Sequence, residues 1–219
     1  MPERLIGIWT GRGVSIVQGY GLTEASPNVL GLPPEYLLAK IGYAGKAYPH
    51  VEVALADEAG GLLEGPATGE LLVRGPNVFA GYWQDPDATA EATRGGWLHT
   101  GDVAERDDEG FYRIRDRLTD MYISGGENVY PAEVESVLAD HPAVIEVAVL
   151  GIPDERWGEV GLAVVVARST VDPEELVRWC EERLAKFKVP RRIEFADRLP
   201  RSALNKVLKA ELAASHITE

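Results

Sequence analysis

Apolar positions run irregularly from Leu5 to Val17, broken by Gly11, and end in the β-branched run Val14-Ser15-Ile16-Val17, which predicts a strand leading into a loop with Tyr20 and Glu24. From Ile41 to about Arg115 the pattern is β-rich. Val51-Glu52-Val53-Ala54-Leu55 partly alternates, and Glu70-Leu71-Leu72-Val73-Arg74 is a short apolar strand between Gly69 and Gly75-Pro76. Asp107-Asp108-Glu109-Gly110 marks a turn, after which Phe111-Tyr112-Arg113-Ile114 returns as a strand. This predicts a small sheet or barrel. Past Arg117 the texture changes to alternating strand and helix. Pro131 suits a first helical turn, Glu133 and Glu135 complement its dipole, and Val134, Val137 and Leu138 form the buried stripe. Strands are predicted at Val144 to Leu150, Leu162 to Ala167 and Ile193 to Phe195, with Gly151-Ile152-Pro153-Asp154 as a turn. Asp172-Pro173-Glu174-Glu175 reads as a helix start, with Asp172 as cap and Glu175 reaching back, and Val207 to Ala213 as a last short helix. The fold class expected is mixed α/β: a β-rich region, then a small α+β domain of a common size, about 100 residues. The boundary falls near Asp116 to Asp120.

Composition narrows the chemistry. The 219 residues are 45% hydrophobic and 26% charged, ordinary for a globular protein. A net charge of -13 argues against non-specific attraction to nucleic acid or to an anionic membrane. A phosphate-bearing ligand must then be held by local donors and cations. A single cysteine, Cys180, excludes an internal disulfide, and its place on a helix stripe reads as core packing. His50, His99, His141 and His216 are scattered without metal-ligand spacing. No apolar run approaches the roughly 20 residues of a membrane span, and no basic-apolar leader opens the chain, so a cytoplasmic setting is expected.

Four segments form an ordered series. They are Gln18-Gly19-Tyr20-Gly21-Leu22-Thr23-Glu24, Trp97-Leu98-His99-Thr100-Gly101-Asp102, Asp116-Arg117 with Ser124-Gly125-Gly126-Glu127-Asn128-Val129-Tyr130-Pro131, and a late Lys206. Together they supply an aromatic face, a hydroxyl, carboxylates and cations, the parts needed to hold an adenylate. Each has a plainer reading: a glycine-rich surface turn with an exposed tyrosine, a turn-forming aspartate, a salt bridge from Arg117 to Asp116 or Asp120, a Gly-Gly hairpin, a solvated lysine.

Over nearly its whole length the chain resembles the acyl-adenylate-forming (AMP-binding) superfamily, which includes acyl-CoA synthetases and nonribosomal adenylation domains. The resemblance implies that Tyr20, beside Gly21, stacks on adenine, that Thr23 donates to the α-phosphate and that Glu24 binds Mg²⁺. It implies that Asp102, expected in a loop, accepts both ribose hydroxyls, and that Arg117 reaches ribose or phosphate. Trp97 and His99 read as packing or loop support. Residues 1–116 would be the C-terminal part of the large AMP-binding domain, 117–120 a hinge, and 121–219 a small mobile domain. Thr119 stands at the hinge where the family usually has Lys or Asp. Gly125, Gly126 and Glu127 would line the coenzyme A passage, two glycines allowing close backbone approach. Met121 to Pro131 looks like medium- to long-chain acyl-CoA synthetases rather than carrier-loading domains. Lys206 resembles the catalytic lysine that bridges substrate carboxylate and α-phosphate, but Asn205 precedes it where the family has Gly. Asparagine tolerates a left-handed backbone.

The family's Ser/Thr/Gly-rich phosphate loop ending in Lys has no counterpart here. The expectation is the C-terminal portion of an ATP-dependent acyl-CoA synthetase, inactive alone, using ATP/AMP, Mg²⁺ and coenzyme A on a carboxylic, fatty acid. A missing N-terminal part of the same enzyme would be its partner. A carrier-protein-loading enzyme and a non-catalytic nucleotide- or CoA-binding module are the alternatives.

Overall fold

The computed structural model describes residues 3–203 and 205–216, so Leu204, beside the candidate lysine, lies outside the described residues. The fold is mixed α/β, in two compact units, Met1–Leu118 and Thr119–Glu219.

The first unit opens with helix α1 (Glu3–Thr10), and the run expected as a strand at Val14 to Val17 has no ladder. Val14 and Val17 are exposed and lie in no ladder, the Val14 N–H folding back to Trp9 O at 3.1 Å, and a β-branched run forms a strand only when a neighbouring strand takes its backbone groups. Strand β1 is instead Gln18–Tyr20, antiparallel to β2 (Leu30–Leu32), which pairs β3 (Lys46–Ala47). A second, antiparallel sheet has the order β5-β4-β6-β7-β8, from β4 (Glu52–Ala56), β5 (Leu62–Leu63), β6 (Ala67–Arg74), β7 (Leu98–Arg106) and β8 (Tyr112–Arg117). Leu55, Leu71, Val73, Leu98 and Ala104 from this sheet pack with Ala25, Val29 and Leu30, so one core ties the Tyr20 turn to β7. Helix α2 (Pro86–Ala92) was not anticipated.

In the second unit β9 (Tyr122–Ser124) and β10 (Glu127–Val129) form a hairpin beside β12 (Gly158–Ala167) and β11 (Val144–Asp154), and β13 (Arg192–Phe195) joins β12 in parallel. Helices α3 (Pro131–Ala139) and α4 (Pro173–Glu181) bury Val134, Leu138, Leu176 and Cys180 against Val149, Ala163 and Val165. Ala148, Leu150, Leu162 and Val164 face a second cluster with Leu199 and Leu212 of α5 (Lys209–His216). Burial on both faces is why β11 and β12 read as continuous apolar runs.

Gly151 to Asp154 is strand, not turn, paired from Gly151↔Gly161 to Asp154↔Gly158. The glycine there serves close approach: a Cβ on Gly151 would lie 2.4 Å from Tyr122 Cβ. Pro153 is tolerated because β11 is an edge strand. The α4 cap holds, with Asp172 Oδ1 accepting from Glu174 N at 2.9 Å. Glu175, expected to reach back, instead lies 3.4 Å from His141 Nε2. Cys180 is fully buried, and burial pushes its thiol up to about 11, as core packing requires. Among the described residues no helix is long and apolar enough to cross a membrane.

Candidate functional site

Three of the sequence-predicted residues meet in the first unit. Tyr20 ends β1, Asp102 lies on β7, and Arg117 ends β8 directly opposite Asp102 in the ladder. The Tyr20 hydroxyl donates to Asp102 Oδ2 at 2.5 Å, and Arg117 Nε lies 3.3 Å from Asp102 Oδ1. Asp102 is 7% exposed, whereas the Arg117 side chain is largely in solvent. Burial, then the hydrogen bond to Asp102, pushes the Tyr20 phenol well above its ordinary range, so it remains a donor.

Asp102 was expected in a loop, and this is corrected: it belongs to a bulged strand. The β6–β7 pairing jumps from Leu72↔His99 to Glu70↔Val103, so Thr100, Gly101 and Asp102 together oppose Leu71. Gly101 has φ 69, the left-handed region that glycine occupies without a Cβ penalty. Thr100 Oγ1 donates to Leu71 O at 2.7 Å and accepts from Asp102 N at 3.1 Å. The bulge re-aims the chain so that a buried carboxylate meets Tyr20. Arg117 therefore pairs with Asp102 rather than through its side chain with Asp116, whose carboxylate accepts the Arg117 backbone N–H at 2.8 Å.

Gly21 follows Tyr20 where the backbone doubles back. A Cβ on it would sit 1.2 Å from Pro27 O, so no other residue fits this path. A 3₁₀ turn, Thr23–Ala25, then carries an exposed Thr23 and a half-buried Glu24. Glu24 Oε1 accepts from the Tyr82 hydroxyl at 3.0 Å, and Glu24 O accepts from Phe79 N at 2.8 Å. Asn77 Nδ2 donates to Ala25 O at 2.9 Å. Tyr82 escaped the sequence reading, since nothing local in Phe79-Ala80-Gly81-Tyr82 points to a carboxylate 58 positions earlier. Burial, then Glu24, raises the Tyr82 phenol.

The remaining candidates belong to the second unit. Gly125 and Gly126, with φ 62 and 87, form the two-residue turn of the β9–β10 hairpin, Ser124 pairing Glu127. This is the hairpin reading, and the turn is pinned by a Gly125 N to Trp157 O bond of 2.8 Å. Glu127 is exposed. Lys206 is an exposed residue closing a tight turn. Its carbonyl accepts from Ser202 N at 2.8 Å, and its N–H donates to Ser202 Oγ at 3.2 Å. Arg201 bridges Val207 across the turn, and Arg201 Nη1 donates to Asn205 O at 2.8 Å. Asn205 has φ 63, so the asparagine does take the left-handed backbone. The last helix begins at Lys209, later than expected.

A family described as AMP-binding enzyme matches residues 1–83, and one described as AMP-binding enzyme C-terminal domain matches residues 133–206. The chain belongs to the AMP-binding enzyme family. It is 50% identical over 214 residues to a feruloyl-CoA synthase of Amycolatopsis sp, covering 97% of this chain and 44% of that protein. The o-succinylbenzoate CoA synthetase (MenE) of Bacillus subtilis, in complex with the acyl-adenylate intermediate OSB-AMP, superposes with a TM-score of 0.91 at 43% identity, over 96% of this chain and 43% of that one. The same enzyme with ATP and magnesium ion superposes with a TM-score of 0.91 at 42% identity, covering 97% of this chain and 44% of that one. These AMP-binding relatives are acyl-CoA ligases, and the chain spans less than half of their length.

Proposed function

We propose that the chain works as part of an ATP-dependent acyl-CoA synthetase, holding the adenylate on its first unit and supplying the catalytic lysine from its second. The observation that carries this reading is the Tyr20–Asp102–Arg117 cluster. It combines a half-buried aromatic ring for a base, a buried carboxylate for ribose hydroxyls and a partly exposed guanidinium for ribose or phosphate. Thr23, on an exposed turn three residues beyond Tyr20, would donate to the α-phosphate. Glu24 fits Mg²⁺: one carboxylate, oriented by Tyr82, suits an ion that keeps several waters and takes only one or two protein carboxylates.

ATP with Mg²⁺ supplies an electrophilic α-phosphate, at which the acid's carboxylate displaces pyrophosphate before coenzyme A thiolate displaces AMP. Lys206 would offset the repulsion between the two approaching anions, its backbone fixed by the Ser202–Lys206 turn and its ammonium in solvent. The chain between Arg117 and Asp120 would serve as the hinge, and the Gly125-Gly126-Glu127 tip would line the coenzyme A passage. The relatives named for ferulate and o-succinylbenzoate favour an aromatic acid over the fatty acid suggested by residues 121–131. Such an enzyme would work in the cytoplasm, where ATP and coenzyme A are at hand.

The test joins this chain to the upstream half of a ligase and supplies ATP, coenzyme A and either ferulate, o-succinylbenzoate or palmitate. AMP release with thioester formation, faster with an aromatic acid, is the expected result. The 219-residue chain alone should form no thioester. AMP binding by the joined protein with no turnover on any acid would replace this reading with the non-catalytic module.

A further inference from the structure

The β7 bulge has a second support, on a residue with no assigned part in the chemistry. Glu70 stands on β6, paired to Val103 just beyond the bulge, with its side chain 13% exposed. Its Oε1 accepts the Gly101 backbone N–H at 3.1 Å, and its Oε2 lies 2.8 Å from His99 Nδ1 and 3.7 Å from Arg94 Nη2. We propose that Glu70 is the positioning residue for Asp102, its carboxylate holding the bulge that presents Asp102 to Tyr20 and Arg117.

Three residues of β7 face one of β6, so regular ladder bonds cannot serve them all. The Asp102 N–H goes to Thr100 Oγ1 and the Gly101 carbonyl takes the Leu118 N–H at 2.8 Å. The Gly101 N–H goes to Glu70 Oε1, a side-chain acceptor from the facing strand. An ionised acceptor makes this bond stronger than one to a neutral group. His99 fixes the other carboxylate oxygen, so the side chain cannot swing away without losing both partners. Glu70 is thus pinned on one side and pins Gly101 on the other. The left-handed Gly101 is the joint at which the chain turns toward the Tyr20 hydroxyl.

The consequence for nucleotide binding rests on the reading of Asp102 as ribose ligand, so the test has two arms. In the unaltered, isotope-labelled chain, NMR should show a scalar coupling across the hydrogen bond between Gly101 ¹⁵N and Glu70 ¹³Cδ, and a protected Gly101 amide. Glu70→Ala should speed exchange of that amide by roughly 10-fold or more, leaving the amides of the second unit's β11 and β12 unchanged. Glu70→Gln keeps an amide oxygen for the Gly101 N–H and should recover most of the protection. In the second arm, the AMP dissociation constant, measured on the full ligase, should rise on the order of 10-fold in Glu70→Ala and return toward normal in Glu70→Gln. No coupling and an unprotected Gly101 amide in the unaltered chain would overturn the proposal, whether or not Glu70→Ala folds. Equal loss in both variants, or AMP binding untouched by a freed bulge, would also overturn it. A bulge held by Glu70 in a ligase that binds no AMP would instead count against the adenylate reading.

Discussion

The two units carry their candidate groups in opposite ways. In the first, Tyr20, Asp102 and Arg117 touch one another, the carboxylate is buried, and the strand beneath them is bulged to make the contact. In the second, the hairpin tip and Lys206 sit exposed on turns whose backbones are tightly bonded. One arrangement is built before any ligand arrives, which lowers the ordering cost of binding. The other delivers a long cationic side chain from a firm base and leaves its tip in water. In the proposed ligase the former would hold the nucleotide and the latter would follow charge as it develops.

The sharpest way to break this contrast is to truncate one member from each side. Lys206→Ala should lower the adenylation rate of the full ligase on the order of 10²–10³-fold, yet change the urea midpoint little, because the side chain is exposed. Asp102→Ala should weaken AMP binding and also destabilise the protein by about 1–3 kcal/mol, since it strands the Tyr20 hydroxyl. Pyrophosphate exchange and urea titration on both variants test this. A Lys206→Ala protein as destabilised as Asp102→Ala would erase the distinction.

Tyr20→Phe sharpens the comparison through pH. The folded protein holds the Tyr20 phenol above its unfolded value, by burial first and by Asp102 second. The folded state therefore binds this proton more tightly. The stabilisation is complete below the unfolded tyrosine value of about 10 and declines as pH rises above it. The wild type should exceed Tyr20→Phe by about 1.5–3 kcal/mol at neutral pH, with the gap closing in alkali. Tyr122, also raised by burial, is present in both proteins and cancels. A gap that widens above pH 10 would contradict the hydrogen bond.

How far the sequence could be read follows from range. The strands at residues 144–150 and 162–167 and the cap at Asp172 declared themselves locally, whereas Tyr20, expected in a loop, ends β1, and residues 151–154, expected as a turn, continue β11. Helices α2 and α4 share the same opening, Asp85-Pro86 and Asp172-Pro173, and both caps form. Only α4 buries a stripe, at Leu176 and Cys180, whereas α2 buries nothing, so it lacked the periodicity that flags a helix. The candidate site divides likewise. Its motif residues were legible, but Tyr82 and Glu70, which orient Glu24 and the Asp102 bulge, act across 58 and 31 positions. A bulge is a property of two strands in register, and no single segment spells it out.

The smallest expected effect concerns the base of the Lys206 turn. Asn205 stands at φ 63, where asparagine fits at modest cost and glycine fits freely. Asn205→Gly removes that cost but also loosens the unfolded chain, so the two terms oppose and the net change should stay within about 0.5 kcal/mol. Adenylation should stay within about twofold, because the turn's bonds run through the Asn205 backbone and the Ser202 side chain. Asn205→Val puts a β-branched residue into the same conformation, a strain on the order of 1–3 kcal/mol. Adenylation should then fall while AMP affinity, which the proposed function assigns to the other unit, holds. Adenylation kinetics beside AMP titration separate the two, and a loss of AMP affinity in Asn205→Val would tie the lysine turn to the nucleotide cluster more closely than the contrast between the units allows.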